Sequence, residues 1–196
     1  MMSKLEYRVN LVDDYLNKLN LSNEIKDYYK GRNILVTGGA GAIGSNLVTV
    51  LSKLVGDSGM IIVLDNLSAI KGNEPIDLPP LSNMMFVNGD IRNDIDLKRV
   101  FREKPTIVYH LAAFFANQNS VDYPETSADV DIQGMIKLLD LAQFTGVDRF
   151  IYASSGCAIY GSYGEMPLKE DFISMHLTTP YQMHKMAGEM YSNFYY

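Results

Sequence analysis

A tyrosine and a lysine stand four residues apart in the stretch "TPYQMHKMAGEMY", residues 179–191. The stretch has a helical pattern, so Tyr181 and Lys185 share one face of a helix. A lysine ammonium beside a phenol stabilises the phenolate, which lowers the tyrosine pKa from about 10 and makes the side chain usable as a general base. The same spacing is common by chance, and alone it favours a surface pair.

A second chemical feature is the glycine-rich stretch "LVTGGAGAIGS", residues 35–45. A strand, a glycine turn and a helix beginning near Ala42 direct free N–H groups and the positive end of a helix dipole to one point, which suits a pyrophosphate. Gly38 allows the turn, Gly41 lets a phosphate approach the backbone, and Gly44 lets the helix pack closely. The alternative is a turn without a ligand. The stretch lacks the Gly-Lys-Ser/Thr end of a nucleoside-triphosphate loop, which disfavours ATP hydrolysis.

These features need elements that position them, and the chain alternates between strand and helix patterns. Such alternation predicts an α/β fold, a doubly wound parallel sheet of the Rossmann type with helices on both faces. Residues 69–83 contain three prolines and are expected to form a surface connection. We predict a helical extension over residues 1–30, with two helices joined near "LNLSNE", and one nucleotide-binding domain over 31–196. The predicted strands are 33–37, 60–65, 84–88, 106–110 and 149–154.

Polar side chains at the ends of the predicted strands extend the nucleotide site. Asp65 closes the second strand, where an acid accepts hydrogen bonds from a ribose diol and repels a 2′-phosphate, so NAD is favoured over NADP. Its alternative role is a helix or turn cap. Asp90 is placed to meet an adenine amino group; alternatively, it or Asn93 caps the next helix. The predicted cofactor-binding residues are Gly38, Gly41, Ala42, Ile43, Gly44, Asp65, Asn66, Asp90, Ile91, Leu111, Ala112, Ala113, Tyr181 and Lys185.

Composition excludes several classes of protein. The 196 residues carry a net charge of −6 and no dense Lys/Arg stretch, so a nucleic-acid partner is not expected. The single cysteine, Cys157, excludes an internal disulfide framework, and His110, His176 and His184 show no metal-ligand spacing with it, so no metal is predicted. No segment approaches the roughly 18 apolar residues of a membrane span, and the charged N-terminus does not match a signal peptide. We expect a soluble protein of the reducing cytoplasm.

Together, the motifs resemble extended short-chain dehydrogenase/reductases of the NAD-dependent sugar-nucleotide epimerase/dehydratase family. The matches occur in family order over about residues 33–190, as "TGGAGAIGS", "DNLS", "GDIRN", "HLAA", "YASSGCAIYG" and "PYQMHK". The resemblance implies that Tyr181 removes a proton from a sugar hydroxyl while hydride passes to NAD, and that Lys185 also holds the nicotinamide ribose. It also implies a nucleotide-sugar substrate and a homodimer formed through a four-helix bundle of helices 125–145 and 179–195.

The family's catalytic Ser/Thr, which relays the proton, departs from the pattern here. Counted back four positions from Tyr160, it falls on Gly156. If the "ASSG" end sets the register instead, the adjacent Ser155 takes the role, and Ser155 is our predicted catalytic residue. Ser154 and Cys157 are weaker alternatives, and a site without a hydroxyl is another.

Three further positions bear on the subgroup. Dehydratases usually carry an acid two positions before the tyrosine that corresponds to Tyr160, and this chain has Ala158 there. Together with "DNLS", this alanine resembles UDP-glucose 4-epimerases and favours epimerisation through a transient keto-sugar. An asparagine that many relatives place before a Val/Ile-x-Gly run corresponds to Asp131. A lysine that follows the fourth strand in 4-epimerases corresponds to Phe115, which points away from that subgroup.

The chain stops soon after the tyrosine–lysine helix, at "YSNFYY", whereas family members continue into a C-terminal substrate domain. We therefore expect an N-terminal portion of an epimerase that acts on a sugar nucleotide of the UDP-glucose or UDP-galactose type. The alternatives are a non-catalytic NAD-binding module and a dehydratase or reductase of the same family.

Overall fold

A five-stranded parallel sheet organises the computed structural model, which describes residues 3–69, 78–115, 117–156, 161, 167–169 and 172–196. The strands are β1 (Asn33–Thr37), β2 (Met60–Asp65), β3 (Met84–Asn88), β4 (Ile107–His110) and β5 (Arg149–Tyr152). The helices are α1 (Lys4–Leu19), α2 (Asn23–Tyr29), α3 (Ala42–Val55), α4 (Asp94–Phe101), α5 (Asn117–Asp122), α6 (Pro124–Ala128), α7 (Met135–Thr145) and α8 (Pro180–Tyr195), with a π-helical segment, Asp129–Gly134, between α6 and α7.

The strand order is β3-β2-β1-β4-β5, with every neighbouring pair parallel. The order reverses between β1 and β4, and in sheets of this kind ligands bind in the crevice beyond the carboxyl ends of the strands at that point. This confirms the predicted doubly wound sheet. The fifth strand is shorter than predicted, because β5 pairs only with β4 and that ladder ends opposite His110.

Helices cover both faces of the sheet, so the central strands are buried on both sides. On one face, β1 and β2 side chains such as Leu35 and Ile62 pack with α4 and α7. On the other, Ile34 and Val63 pack with α3. Burial on both faces explains why these strands read as continuous apolar runs instead of alternating ones.

The N-terminal extension forms the two predicted helices and lies against α3. The first helix begins at a capping box of Ser3 and Glu6, and Asp13 on it pairs with Lys53 of α3, at 3.1 Å. The second helix places the Tyr29 hydroxyl 2.6 Å from that of Tyr109 on β4. The division into 1–30 and 31–196 stays a prediction.

The last helix, α8, packs against β5 and against α5, α6 and the π-helical segment. It begins where the Thr179 hydroxyl accepts the Gln182 N–H and the Gln182 side-chain oxygen accepts the Thr179 N–H. Pro180 occupies the first turn, where its missing N–H costs nothing. These local signals fix the start of the helix that carries the tyrosine and the lysine.

Candidate active site

The glycine turn closes tightly against the end of β4. Gly38 has a φ of +70°, and a Cβ on it would lie 2.6 Å from the Ala112 nitrogen. A Cβ on Gly44 would overlap the Gly38 carbonyl oxygen. At Gly41, by contrast, the nearest atom to an added Cβ is the Gly38 oxygen at 3.3 Å. Gly38 and Gly44 are therefore required by packing within the protein, whereas Gly41 presents a more open backbone.

The N-terminus of α3 presents backbone N–H groups to an anion. Gly41 is its N-cap and supplies no side-chain cap, and Ala42 and Ile43 are exposed. The first N–H groups of a helix have no partner within the helix, and the helix dipole adds positive potential there. An uncapped, exposed helix start beside a glycine turn fits the pyrophosphate of a dinucleotide.

Asp65 connects the glycine turn to the loop that follows β2. One carboxylate oxygen accepts the Ala40 N–H at 2.9 Å, and the other accepts the Leu67 N–H at 2.8 Å. The turn-capping role considered from the sequence is therefore present. Each oxygen has a further lone pair, so the same carboxylate can also accept bonds from a ribose diol.

Asp90 is held by a basic partner that the sequence interpretation did not single out. Arg92 donates to both of its oxygens, at 3.0 and 2.8 Å, and Asn66 donates at 2.8 Å. These bonds lower the pKa of Asp90 to about 2, chiefly through the Arg92 side chain. Asn93 caps α4 by accepting from the Ile95 N–H, so the cap predicted for Asp90 or Asn93 belongs to Asn93. The adenine contact of Asp90 stays a prediction.

Tyr181 and Lys185 form a buried pair, so the surface-pair alternative is wrong. Lys185 is 3% exposed and Tyr181 is 9% exposed, and the Lys185 Nζ lies 5.7 Å from the tyrosine ring centroid. The ammonium donates to the Ala153 carbonyl at 2.8 Å, just beyond the end of β5. Burial lowers the pKa of Lys185, and the negative charge of Asp131 opposes that shift. The Tyr181 N–H is fixed by the Ser120 hydroxyl at 3.0 Å.

His110 lies between the glycine turn and this pair. Its Nδ1 is 2.7 Å from the hydroxyl of Thr37, the residue before Gly38. Its ring stacks on the ring of Tyr152. The Lys185 ammonium also lies near Tyr152, 4.8 Å from the centroid of that ring. The sequence interpretation considered His110 only as a metal ligand. Its position at the end of a buried strand was the signal that it belongs to the site.

Asp131 is a second buried residue whose contacts were not predicted. It accepts the Phe114 N–H at 2.7 Å and the Ser127 hydroxyl at 3.1 Å. The Ser127 oxygen also lies 3.0 Å from His184 Nδ1. Asp131 therefore joins the loop after β4 to the helix that carries Tyr181 and Lys185.

The remaining predicted cofactor residues differ in their placement. The Leu111 and Ala112 N–H groups donate to the carbonyl and the hydroxyl of Thr37, which brings that loop to the glycine turn. Ile91 instead has its side chain in the core between the sheet and α4, at 4% exposure, so the structure does not direct that side chain to the site. Phe115 is 73% exposed and meets the Tyr181 ring edge-on at 6.3 Å.

The predicted proton relay lies in the segment after β5. Ser155 is half-buried, and the Ser154 Oγ is buried without a hydrogen-bond partner among the described residues. Part of the predicted surface connection 69–83, together with Cys157, Ala158 and Tyr160, lies outside the described residues. The choice of Ser155 stays a prediction.

Within the described ranges, neither a metal site nor a membrane-spanning helix is present. No group of three or more His, Cys, Asp or Glu side chains there has a geometry that would hold a metal ion. In the same part of the chain, no helix combines the length and the apolar character needed to cross a bilayer.

Comparison with known proteins places this arrangement in a family. The profile described as "NAD dependent epimerase/dehydratase family" matches residues 34–195. UDP-glucose 4-epimerase of Mycolicibacterium smegmatis is 36% identical over 162 residues, which are 82% of this chain and 50% of the relative. The chain thus spans about half the length of the relatives it matches.

Two solved structures are similar in fold as well as in sequence. An epimerase from Methanothermobacter thermautotrophicus is 48% identical with a TM-score of 0.82, over 88% of this chain and 49% of the other. UDP-glucose 4-epimerase of Thermus thermophilus, in complex with NAD, is 35% identical with a TM-score of 0.68, over 83% of this chain and 50% of the other.

Proposed function

The chain belongs to the NAD-dependent epimerase/dehydratase family, and from that membership we propose that the protein epimerises a nucleotide sugar of the UDP-glucose or UDP-galactose type. The resemblance inferred from the sequence motifs is thereby confirmed at the level of the family. The observation that carries the proposed reaction is the burial of Tyr181 and Lys185 side by side on α8, at the carboxyl edge of the sheet.

NAD is the cofactor of this family, as the sequence predicted. The residues present fit it, because the uncapped start of α3 suits a pyrophosphate and the Asp65 carboxylate retains lone pairs for a ribose diol. We assign the pyrophosphate to the N–H groups of Ala42 and Ile43, beside Gly41, whose own N–H donates to the Gly38 carbonyl at 3.2 Å. When bound, NAD supplies a reversible hydride acceptor for a sugar carbon.

In the proposed mechanism, Tyr181 acts as the base and Lys185 as its electrostatic partner. The phenolate of Tyr181 takes the proton of a sugar hydroxyl, and a nearby ammonium favours that phenolate. Burial strengthens the effect, because charges interact more strongly away from water. The Ala153 carbonyl holds the ammonium in place. Ser155 is assigned the proton relay.

Two further assignments complete the proposal. We assign the protein to the cytoplasm, where its single cysteine would stay reduced. We also assign it a homodimer built from the Pro124–Thr145 helical stretch and α8, which lie side by side.

The first experiment measures binding and turnover with the purified chain. NAD is titrated in, UDP-glucose or UDP-galactose is added, and the interconversion of the two sugars is followed. We expect Tyr181→Phe to lower turnover by about 100-fold or more and to leave NAD affinity close to that of the wild type, because the phenyl ring keeps the packing and loses the base. Tyr7→Phe, at an exposed position on α1, is the matched control and should change neither quantity.

Each outcome assigns the function differently. Turnover that survives Tyr181→Phe contradicts the proposed base. NAD binding without turnover in the wild-type chain is the result expected of a non-catalytic NAD-binding module, and equally of a chain that spans about half the length of its relatives. Failure to bind NAD contradicts the assignment of the pyrophosphate to the start of α3.

A further inference from the structure

The end of β5 contacts the Lys185 side chain through two successive residues. The Ala153 carbonyl accepts a hydrogen bond from the ammonium at 2.8 Å, and the same ammonium lies over the ring of Tyr152, with 4.8 Å between Nζ and the ring centroid. A cation within about 6 Å of an aromatic centroid is attracted by the negative face of the ring, most strongly where water is excluded. Lys185 is 3% exposed. The contact therefore has the geometry of a cation–π interaction in a dry environment.

The Tyr152 ring attracts the ammonium as a neutral phenol. Burial raises the pKa of its hydroxyl, so no phenolate forms there at neutral pH. The Ala153 carbonyl is neutral as well, hence its hydrogen bond supplies no counter-charge. Burial lowers the pKa of Lys185, because the charged form is the one that loses its solvation. An electron-rich ring face offsets part of that cost without introducing a charge.

Neighbouring groups keep the Tyr152 ring in place. His110 stacks with it, with 5.6 Å between the centroids and 29° between the ring planes. Gly188 on α8 approaches the hydroxyl end of the ring so closely that a Cβ there would overlap it. Lys185 and Gly188 stand three positions apart on the buried face of α8. The glycine that lets α8 approach β5 therefore also brings the ammonium onto the ring.

We propose that Tyr152 is a positioning residue: the face of its ring holds the buried Lys185 ammonium by a cation–π interaction, beside the proposed base Tyr181. The ammonium lies 5.7 Å from the centroid of the Tyr181 ring, so the ring that anchors it and the ring whose phenolate it favours are both close to it. This role in the reaction rests on the proposed function, in which the ammonium supports the Tyr181 base. The contact between Tyr152 and Lys185 does not depend on that function.

Fluorination of the ring separates its electrostatic attraction from its shape. The face of an aromatic ring is negative, and fluorine substituents withdraw that negative charge. The series is Tyr152→Phe, followed by replacement of Tyr152 with para-fluorophenylalanine and with trifluorophenylalanine, which has fluorine on the para and both meta carbons. A para fluorine is no larger than the tyrosine hydroxyl. The readout is the titration of the Lys185 side chain by NMR of its ε-carbon, with the signal assigned by its loss in Lys185→Met.

The titration midpoint of Lys185 should follow the number of fluorines. We expect it to stay near the wild-type value in Tyr152→Phe, which keeps the ring face, and to move to lower pH with each addition of fluorine. The attraction favours the charged form, so a weaker attraction lets the ammonium lose its proton more easily. Tyr152→Leu, which keeps an apolar side chain without a ring, should lower the midpoint by about one pH unit.

The other titratable groups around this contact are the same in every member of the series. They are His110 on β4, Asp131 on the π-helical segment, and Tyr181 and Glu189 on α8. None of them is substituted, so differences among the phenylalanine derivatives report the ring itself.

Replacement of Phe150 with trifluorophenylalanine is the matched control. Phe150 stands two positions earlier on β5, and its ring lies 6.0 Å from that of His110 between centroids, so the same fluorines are added beside the same histidine. This variant should keep the wild-type midpoint of Lys185. An equal shift in this control overturns the proposal, and so does a midpoint at Lys185 that is the same for phenylalanine and its fluorinated forms at position 152.

The fluorinated series remains decisive if Tyr152→Leu does not fold, because each of its members keeps an aromatic ring between His110 and α8. The titration requires no turnover. A graded shift in a chain that fails to interconvert the sugars would therefore support the role of Tyr152 and contradict only the proposed reaction, whereas turnover with a flat series would do the reverse.

Discussion

A buried histidine links the glycine turn to the proposed catalytic pair and makes folding sensitive to pH. His110 is 1% exposed, and burial lowers its pKa to about 3. The neutral ring fits its contacts: Thr37 already accepts the Ala112 N–H, so its hydroxyl proton is available to His110 Nδ1. Donation from Thr37 to Nδ1 requires the neutral ring, and protonation of Nδ1 would remove that bond.

The first prediction follows from that depressed pKa. Below the ordinary value of 6.5, the unfolded chain binds a proton at His110 that the folded chain excludes until about pH 3. The contribution of His110 to stability is therefore complete above pH 6.5 and declines as the pH falls. The free energy of unfolding of the wild type should decrease between pH 7.5 and pH 4.5. We expect this decrease to be roughly 2–3 kcal/mol smaller in His110→Gln, as measured by urea denaturation.

His176→Gln is the control for this prediction, because His176 is an exposed histidine. It should retain the wild-type dependence of stability on pH. If His110→Gln shows the same dependence as the wild type, the histidine is not excluded from protonation in the folded state.

The sequence predicted the residues with recognisable chemistry better than the residues that hold them. Tyr181 and Lys185 stand four positions apart, so their shared face follows from helix geometry alone. Ser120, which fixes the Tyr181 backbone, lies 61 positions away, and Arg92 reaches Asp129 across 37 positions. Contacts over such separations depend on how elements pack, and no local pattern specifies them.

At the scale of elements, α8 approaches β5 through a glycine. Gly188 lies on the buried face of α8, and a Cβ built there would come 2.7 Å from Cε1 of Tyr152 and closer still to the end of that ring. The Tyr152 ring is rigid and stacks on His110, so it cannot move aside as a flexible chain would. The close approach also permits the bond from Lys185 to the Ala153 carbonyl beyond β5.

The second prediction concerns this contact. Gly188→Ala gains about 1 kcal/mol in helix propensity but costs about 1–3 kcal/mol in overpacking. We expect a net loss of about 1 kcal/mol in the free energy of unfolding, and a lower NAD affinity, since Lys185 is displaced with the helix. Urea denaturation and an NAD titration measure the two effects.

A compensating substitution tests the physical cause. Tyr152→Leu shortens the side chain that the new methyl group would meet, so Gly188→Ala should cost less stability in that background than in the wild type. Equal costs in both backgrounds would show that the close contact does not govern the packing of α8.

The elements themselves were predictable to different degrees. Strands β1 to β3 match their predicted ranges. For β1 and β2 the reason is their burial on both faces, which makes them continuous apolar runs. The π-helical segment Asp129–Gly134 lies within the stretch predicted as one helix. Over six residues, an apolar pattern does not distinguish a π-helical turn from an α-helical one. The burial of the Asp131 side chain depends on its tertiary contacts, which the local pattern does not specify.

At the scale of the whole molecule, α8 presents chemically opposite faces. One face is buried and carries the proposed catalytic pair with Gln182 and Gly188. The other carries Met183, Met190 and Phe194, which are 49%, 61% and 79% exposed. Their spacing of seven and four residues forms one apolar stripe along the helix. Water-exposed stripes of this kind mark interaction surfaces, and a second copy of this chain is the occupant we propose.

The third prediction tests that homodimer. We expect the wild-type chain to sediment as a dimer at micromolar concentration and Met190→Glu/Phe194→Glu to sediment as a monomer, because introducing like charges into a stripe that faces its own copy opposes association. Ile95→Glu, at a 77% exposed apolar position on α4, is the control and should remain dimeric. Since the substitutions lie on the face opposite Tyr181 and Lys185, the variant should still bind NAD, which shows that it is folded. A wild-type chain that is monomeric at that concentration contradicts the homodimer, and a dimer that persists in the double variant assigns the interface to another surface.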